Sequence, residues 1–161
     1  ELVELAEFLQ APIMTTPEAK GVVPSDHNLS IGVNYTSLGP AHRVVPESDV
    51  VLAVGTRFLI AGLELTDAQR IIQIDADPTE IGKNVEVDVP IVGDVKRVLT
   101  QLNKRVESST HVEWIQRIDE LKREHPSMHI RDTEKLLPQS LAATASTATM
   151  TLKRPSSPCS P

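Results

Sequence analysis

Only one cysteine, Cys159, occurs in the 161 residues. That excludes an intramolecular disulfide framework and a zinc ribbon built from paired cysteines. Aromatic residues make up 2% of the chain, and Phe8, Tyr35, Phe58 and Trp114 are scattered, so no series of stacking platforms for nucleic-acid bases is formed. No apolar run approaches the roughly 20 residues of a membrane helix, and no membrane partner is expected. Residues 1–10 hold three glutamates and no basic residue, which is not the composition of a signal or transit peptide. A cytoplasmic location is the expectation that follows. There is no initiator Met, so the chain is expected to be cut from something longer, or processed. Neither common phosphate-loop fingerprint is present, and there is no Gly-x-Ser-x-Gly elbow and no His-Glu-x-x-His. Among the five histidines only His125 and His129 have a ligand-like spacing, and Pro126 interrupts it. No catalytic and no metal-ligating residue is expected.

Positive charge is also scarce. All 22 acidic residues lie at or before Glu134, against 13 Lys and Arg over the same stretch, so residues 1–134 carry −9. The remaining segment carries +3, from Lys135, Lys153 and Arg154. Three cations are too few to track a phosphate backbone, and no nucleic-acid partner is expected.

What the sequence does hold is an alternation of helix and strand patterns. Leu2, Leu5, Ala6 and Leu9 form the stripe of an amphipathic helix over 1–10. Residues 11–16 and 29–34 read as short strands, 19–27 as a loop, and 40–48 as a helix with Ala41, Val44 and Val45 inward. Residues 50–54 form an unbroken β-branched and aliphatic run stopped by Gly55. Continuous rather than alternating hydrophobicity marks a strand covered on both faces, hence a parallel sheet. Residues 71–74 and 89–92 repeat the pattern, with a helical turn over 79–83 between them. Helices follow over 95–106, with Val95, Val98, Leu99, Leu102 and Val106 on one face, and over 112–124, with Trp114, Ile115, Ile118 and Leu121 inward. The order predicts a doubly wound α/β sheet. From about Pro138 the chain turns Ala/Ser/Thr-rich and then proline-punctuated, and this tail is expected to be disordered.

In open α/β sheets, ligands bind beyond the carboxyl ends of the strands. The strand-terminal residues are Thr15 and Thr16, Val33 and Asn34, Gly55-Thr56-Arg57, Asp75 and Asp77, and Gly93-Asp94. Gly55 would let backbone approach a phosphate, and Arg57 can pair with a pyrophosphate by two parallel hydrogen bonds. Asp75 can accept from ribose hydroxyls and Asp94 from the exocyclic amine of an adenine. Plainer roles exist for the same residues: a turn at Gly55, a surface ion pair for Arg57, and a helix cap for Asp77, three residues before Glu80.

Three stretches in series resemble the central domain of thiamine-diphosphate-dependent enzymes, closest to the acetolactate synthase group. They are Ser48-Asp49-Val50-Val51-Leu52-Ala53-Val54-Gly55-Thr56-Arg57-Phe58, Ile71-Ile72-Gln73-Ile74-Asp75-Ala76-Asp77-Pro78-Thr79-Glu80-Ile81-Gly82-Lys83-Asn84 and Val87-Asp88-Val89-Pro90-Ile91-Val92-Gly93-Asp94-Val95-Lys96. Upstream, Pro12 to Thr16, Ala19 to Pro24 and His27 to Gly32 follow the same order. The resemblance covers roughly residues 1–106. It implies a Rossmann-like, doubly wound sheet of the DHS-like FAD/NAD-binding type, with a helical linker over 107–137. It also implies an aborted start of the C-terminal thiamine-diphosphate-binding domain, and the tail, over 138–161, where Leu136-Leu137-Pro138-Gln139 resembles the entry to that domain.

The resemblance further implies a homo-oligomeric parent enzyme that uses thiamine diphosphate and Mg²⁺ on 2-keto acids, with the activating glutamate and the Gly-Asp-Gly metal motif in other domains. Neither is expected in this chain, which is therefore expected to be inactive alone. The central domain binds FAD in some members and ADP or nothing in others. Carried over by position, the cofactor-contacting residues would be Thr16, Pro17, Val33, Gly55, Thr56, Arg57, Asp75, Ile81, Asp94 and Val95. Three positions depart from the flavin-binding members: Ala19-Lys20-Gly21 for Gly-Lys-Gly, Asn34-Tyr35 for His-Gly, and Leu59 for an Asp. In the family a central strand also precedes the first helix, so this chain is expected to lack its first strand and to leave two neighbours unpaired. A second expectation is a stand-alone, non-catalytic nucleotide-binding or regulatory domain. A sirtuin-like deacylase shares the sheet class, but one Cys cannot supply its four-thiolate zinc site.

Overall fold

The computed structural model describes residues 1–33, 39–58, 64–126 and 148–152, with Met150 the one side chain described in the last segment. Six strands make one sheet. In chain order they are β1 (Ile13–Thr15), β2 (Ser30–Val33), β3 (Val50–Val54), β4 (Arg70–Asp75), β5 (Val89–Val92) and β6 (Ala148–Leu152). Across the sheet they run β2-β1-β6-β3-β4-β5. Among the described residues four α-helices accompany them: α1 (Leu2–Leu9), α2 (Ala41–Val44), α3 (Val95–Asn103) and α4 (Val112–Glu124).

The side chains of the inner strands divide between two faces, as period-two alternation requires. Ile13, Leu52, Val54, Ile74 and Met150 join Leu5 and Ala6 of α1 and Leu99 of α3 in one buried cluster. Met14, Ile31, Val51 and Ile71 join Ala41 and Val44 of α2 and Trp114, Ile118 and Leu121 of α4 in another. Helices thus cover both faces, and the fold is the expected Rossmann-like α/β arrangement. This explains the unbroken apolar run of β3, whose Val51, Leu52, Ala53 and Val54 are all buried. Arg117 fastens α4 to the segment after α2 through a two-pronged pair with Glu47, at 2.9 and 2.8 Å.

Two expectations are corrected here. As expected, no strand precedes α1 among the described residues, but its two neighbours are not left unpaired, and residues 148–152, placed in the expected disordered tail, form a strand. Residues 148–152 fill the place between β1 and β3, pairing antiparallel with both, while β1, β2, β3, β4 and β5 share one direction. The physical reason is hydrogen bonding: β1 and β3 both present inner-edge donors and acceptors, and an extended Ala-Thr-Met-Thr-Leu satisfies them whichever way it runs. Asn34, Tyr35, Leu59, His129, Leu136-Leu137-Pro138-Gln139 and the rest of the tail, including Cys159, lie outside the described residues. The 79–83 segment is a series of turns, opened by Asp77, whose carboxylate accepts from the Thr79 amide at 2.9 Å.

Candidate functional site

The carboxyl ends of the five parallel strands lie along one edge of the sheet. Thr15 stands opposite Val33, and Asp75 opposite Val92. The Gly55 amide donates to the Ile74 carbonyl at 2.8 Å, and the Gly93 amide to the Asp75 carbonyl at 2.9 Å, so the pairing continues one residue past each strand. Gly55, Asp75 and Gly93-Asp94 are therefore neighbours on one side of β6. Thr16, Pro17 and Val33 lie on the other, with Ala148 paired to both Thr15 and Val54 between them. Ile81 lies in the turns after β4, half-buried.

The sharpest local feature follows β3. Gly55 has φ +59° and Phe58 has φ +54°, so the chain reverses twice around Thr56 and Arg57. Positive φ suits Gly55, which lacks a Cβ, but for Phe58 it is strained, and such strain persists only where surrounding contacts over-determine the backbone. Those contacts are present. Gln73 Nε2 donates to the Thr56 carbonyl at 2.9 Å, and Asn84 Nδ2 donates to the Arg57 carbonyl at 2.6 Å. Arg57 Nε lies 3.5 Å from Glu80 Oε2, whose other oxygen pairs with Lys83 Nζ at 2.9 Å. Thr56 is buried and Arg57 is half exposed. The loop is thus rigid in its backbone and cationic at its tip.

Gln73, Glu80 and Asn84 did not emerge from the sequence as site residues. Gln73 is 1% exposed and also donates to the Glu80 carbonyl at 3.1 Å while accepting from the Gly82 amide at 3.0 Å. One signal for it was available: an amide between Ile72 and Ile74 in a strand covered on both faces must find partners. For Glu80 and Asn84 no such local signal exists, because their partner Arg57 is distant in sequence.

The strand-end carboxylates have local work. Asp75 accepts from the Asp77 amide at 2.9 Å. Asp94 caps α3, accepting from the Arg97 amide at 2.9 Å, and Val95 opens that helix. Hydrogen bonds from Thr79, side chain first and then backbone, hold Asp77 below the usual carboxylate range. Thr16 is buried at the head of a short 3₁₀ turn begun by Pro17. Among the described residues no group of three or more His, Cys, Asp or Glu could hold a metal ion, and the chain contains no Gly-Asp-Gly. Among the described residues nothing fits a Mg²⁺-diphosphate site. Along that edge the described residues place backbone, the Arg57 guanidinium and carboxylate acceptors.

The topology defines a doubly wound, Rossmann-like α/β domain. Residues 1–102 match the family described as thiamine pyrophosphate enzyme, central domain, and the chain belongs to that family. It is similar to a probable acetolactate synthase large subunit of Methanocaldococcus jannaschii, 41% identical over 86% of this chain and 25% of the relative. It is also similar to a probable acetolactate synthase large subunit of Methanococcus aeolicus, 35% identical over 88% of this chain and 26% of the relative. A third relative, an acetolactate synthase of Arthrospira platensis, is 40% identical over 65% of this chain and 20% of its own length. The chain spans about a quarter of the length of the curated relatives it matches most extensively. Among the described residues no helix is long and apolar enough to cross a membrane.

Proposed function

We propose that this chain is the central domain of an acetolactate-synthase-like enzyme that joins or decarboxylates 2-keto acids with thiamine diphosphate and Mg²⁺, and that it is not catalytic by itself. Within that frame its strand-end edge binds an adenine nucleotide, FAD or ADP. The backbone of Gly55 and Thr56 approaches the phosphates, Arg57 pairs with them, and Asp75 and Asp94 face the ribose and adenine. Thr16, Pro17, Val33, Ile81 and Val95 line the remainder. The parent enzyme is, on this reading, a homo-oligomer of the cytoplasm.

The observation that supports this reading best is the Gly55–Phe58 reversal. Its strained backbone is held by Gln73 and Asn84, with Glu80 beside the Arg57 side chain, and pre-organised backbone beside a cation is what phosphate recognition uses. Calorimetric titration of the chain with ADP and with FAD tests it. Saturable binding that Arg57→Ala weakens about tenfold supports the assignment. Absence of binding for both ligands, or binding indifferent to Arg57, removes it and leaves the domain a structural spacer. Pyruvate-dependent turnover by the purified chain with thiamine diphosphate and Mg²⁺ would overturn the non-catalytic part. Nucleotide binding with no flanking thiamine-enzyme coding sequence would favour the stand-alone regulatory domain instead.

A further inference from the structure

Arg57 is held by one side of its guanidinium. Among the described residues its ion pair runs from Nε, 3.5 Å from Glu80 Oε2, and none reaches Nη1 or Nη2. The Arg57 side chain is half exposed, whereas Glu80 Oε2 is buried and accepts no hydrogen bond among the described residues. A buried carboxylate oxygen is costly to leave without a cation or a donor. Arg57 is the cation beside that oxygen, and Lys83 Nζ takes the other, at 2.9 Å. The carboxylate is thus fixed at one end by Lys83 and turned with its second oxygen to Arg57. The backbones that carry the pair are tied together as well. Gln73 Nε2 donates to the carbonyls of Thr56 and Glu80, at 2.9 and 3.1 Å, and Asn84 Nδ2 donates to the Arg57 carbonyl at 2.6 Å. Arg57 and Glu80 therefore meet across two braced loops, one after β3 and one after β4.

We propose that Glu80 is a positioning residue for a phosphate-bearing ligand: it holds the Arg57 guanidinium by Nε and leaves Nη1 and Nη2 to pair with the phosphate. The inference rests on the nucleotide reading above and adds to it the residue that aims its cation. A planar guanidinium grips a phosphate through two parallel N–H groups, and Nη1 and Nη2 form one such fork. An arginine left free loses rotamer entropy when it closes on a ligand, and one already held loses less. Repulsion between the Glu80 carboxylate and an anion acts the other way. It is screened by solvent at the half-exposed tip and offset by Lys83 on Oε1. The sign of the change when Glu80 is neutralised separates the two effects: loss of affinity marks positioning, and gain marks competition for Arg57.

Two measurements on the full chain test it. Without ligand, ¹⁵N relaxation should show the Arg57 Nε–Hε group ordered, and Glu80→Gln should free it. If that group is already as mobile in the wild type as the one of exposed Arg43, Glu80 does not hold it and the proposal fails, whatever binds. Calorimetric titration with ADP and with adenosine reads the consequence. Glu80→Gln should weaken ADP about threefold. It should leave adenosine, which carries no phosphate, unchanged, and in an Arg57→Ala background it should have no further effect on ADP. An equal loss for both ligands makes Glu80 structural only and overturns the proposal. So does an unchanged or tighter ADP affinity, or a loss that persists without Arg57. Should Glu80→Gln not fold, Glu80→Asp, which keeps the charge and shortens its reach by one methylene, takes its place. If ADP fails to bind the wild type while Arg57 Nε–Hε is ordered, the nucleotide reading is what has failed, and the positioning role falls with it.

Discussion

Gln73 holds the edge of the sheet at three points with one side chain. Its amide meets the Thr56 carbonyl in a buried contact, and the Glu80 carbonyl and the Gly82 amide in half-buried ones. Gln73→Ala leaves those groups unsatisfied, and at about 1–3 kcal/mol for each buried group some of the loss is recovered by relaxation. A loss of roughly 2–4 kcal/mol is expected in urea unfolding. A change within about 0.5 kcal/mol would mean that Asn84 and Glu80 fix the loop without it.

Asp88 acts similarly at the opposite end of the strands. Its carboxylate accepts from the Ile71 amide at 2.8 Å and pairs with Arg70, and these contacts, the Ile71 amide first, hold it below the usual carboxylate range. A depressed carboxylate contributes stability that is present above its ordinary value near 4 and is lost as pH falls through the lower folded value. Asp88→Asn should therefore flatten the acid limb of the stability profile below about pH 4, measured by thermal melts across pH. An unchanged acid limb would remove Asp88 from the account.

At the scale of elements, α3 shows one residue with two possible duties. Asp94 was singled out as an acceptor for a base, and the structure employs it as the cap of α3. The two duties separate by substitution. Asp94→Ala should cost about 1 kcal/mol of stability and Asp94→Asn little, since Asn caps as well as Asp. A nucleotide role would add a loss of affinity in both variants, read by the same titration as Arg57→Ala.

Elements with strong local patterns were legible without the structure. The strand over 89–92 and the helix over 112–124 have the bounds the sequence suggested, because a β-branched run and an i, i+3, i+4, i+7 stripe each carry their own signal. The placement of Gly55, Arg57, Asp75 and Asp94 along one edge was legible for the same reason, through the strand-end rule. β6 was not. Ala-Thr-Met-Thr-Leu is too short and too polar to declare itself, and it becomes a strand because β1 and β3, about a hundred or more residues earlier, leave a place for it. The clamp of Gln73, Glu80 and Asn84 was equally hidden, since its partners meet only after β3 and β4 pair.

For the whole molecule, the sheet is a partition between two cores. Ile74 is fully buried on the α1 and α3 face, and Ile118 is fully buried on the α2 and α4 face. Ile74 and Ile118 lie in different clusters, which meet at Ile115, so their effects on each other should be transmitted mainly through the backbone of the strands between them. Ile74→Val and Ile118→Val each remove one buried methylene and should cost about 0.5–1.5 kcal/mol. If the sheet is a rigid partition, the double variant should lose the sum within about 0.5 kcal/mol, in a single urea transition. The transition of the double variant should be single, because the two cores share β3 and β4. A double variant that departs from additivity by more than about 1 kcal/mol, or that unfolds in two steps, would show that the cores are coupled or separable in a way the continuous sheet does not account for.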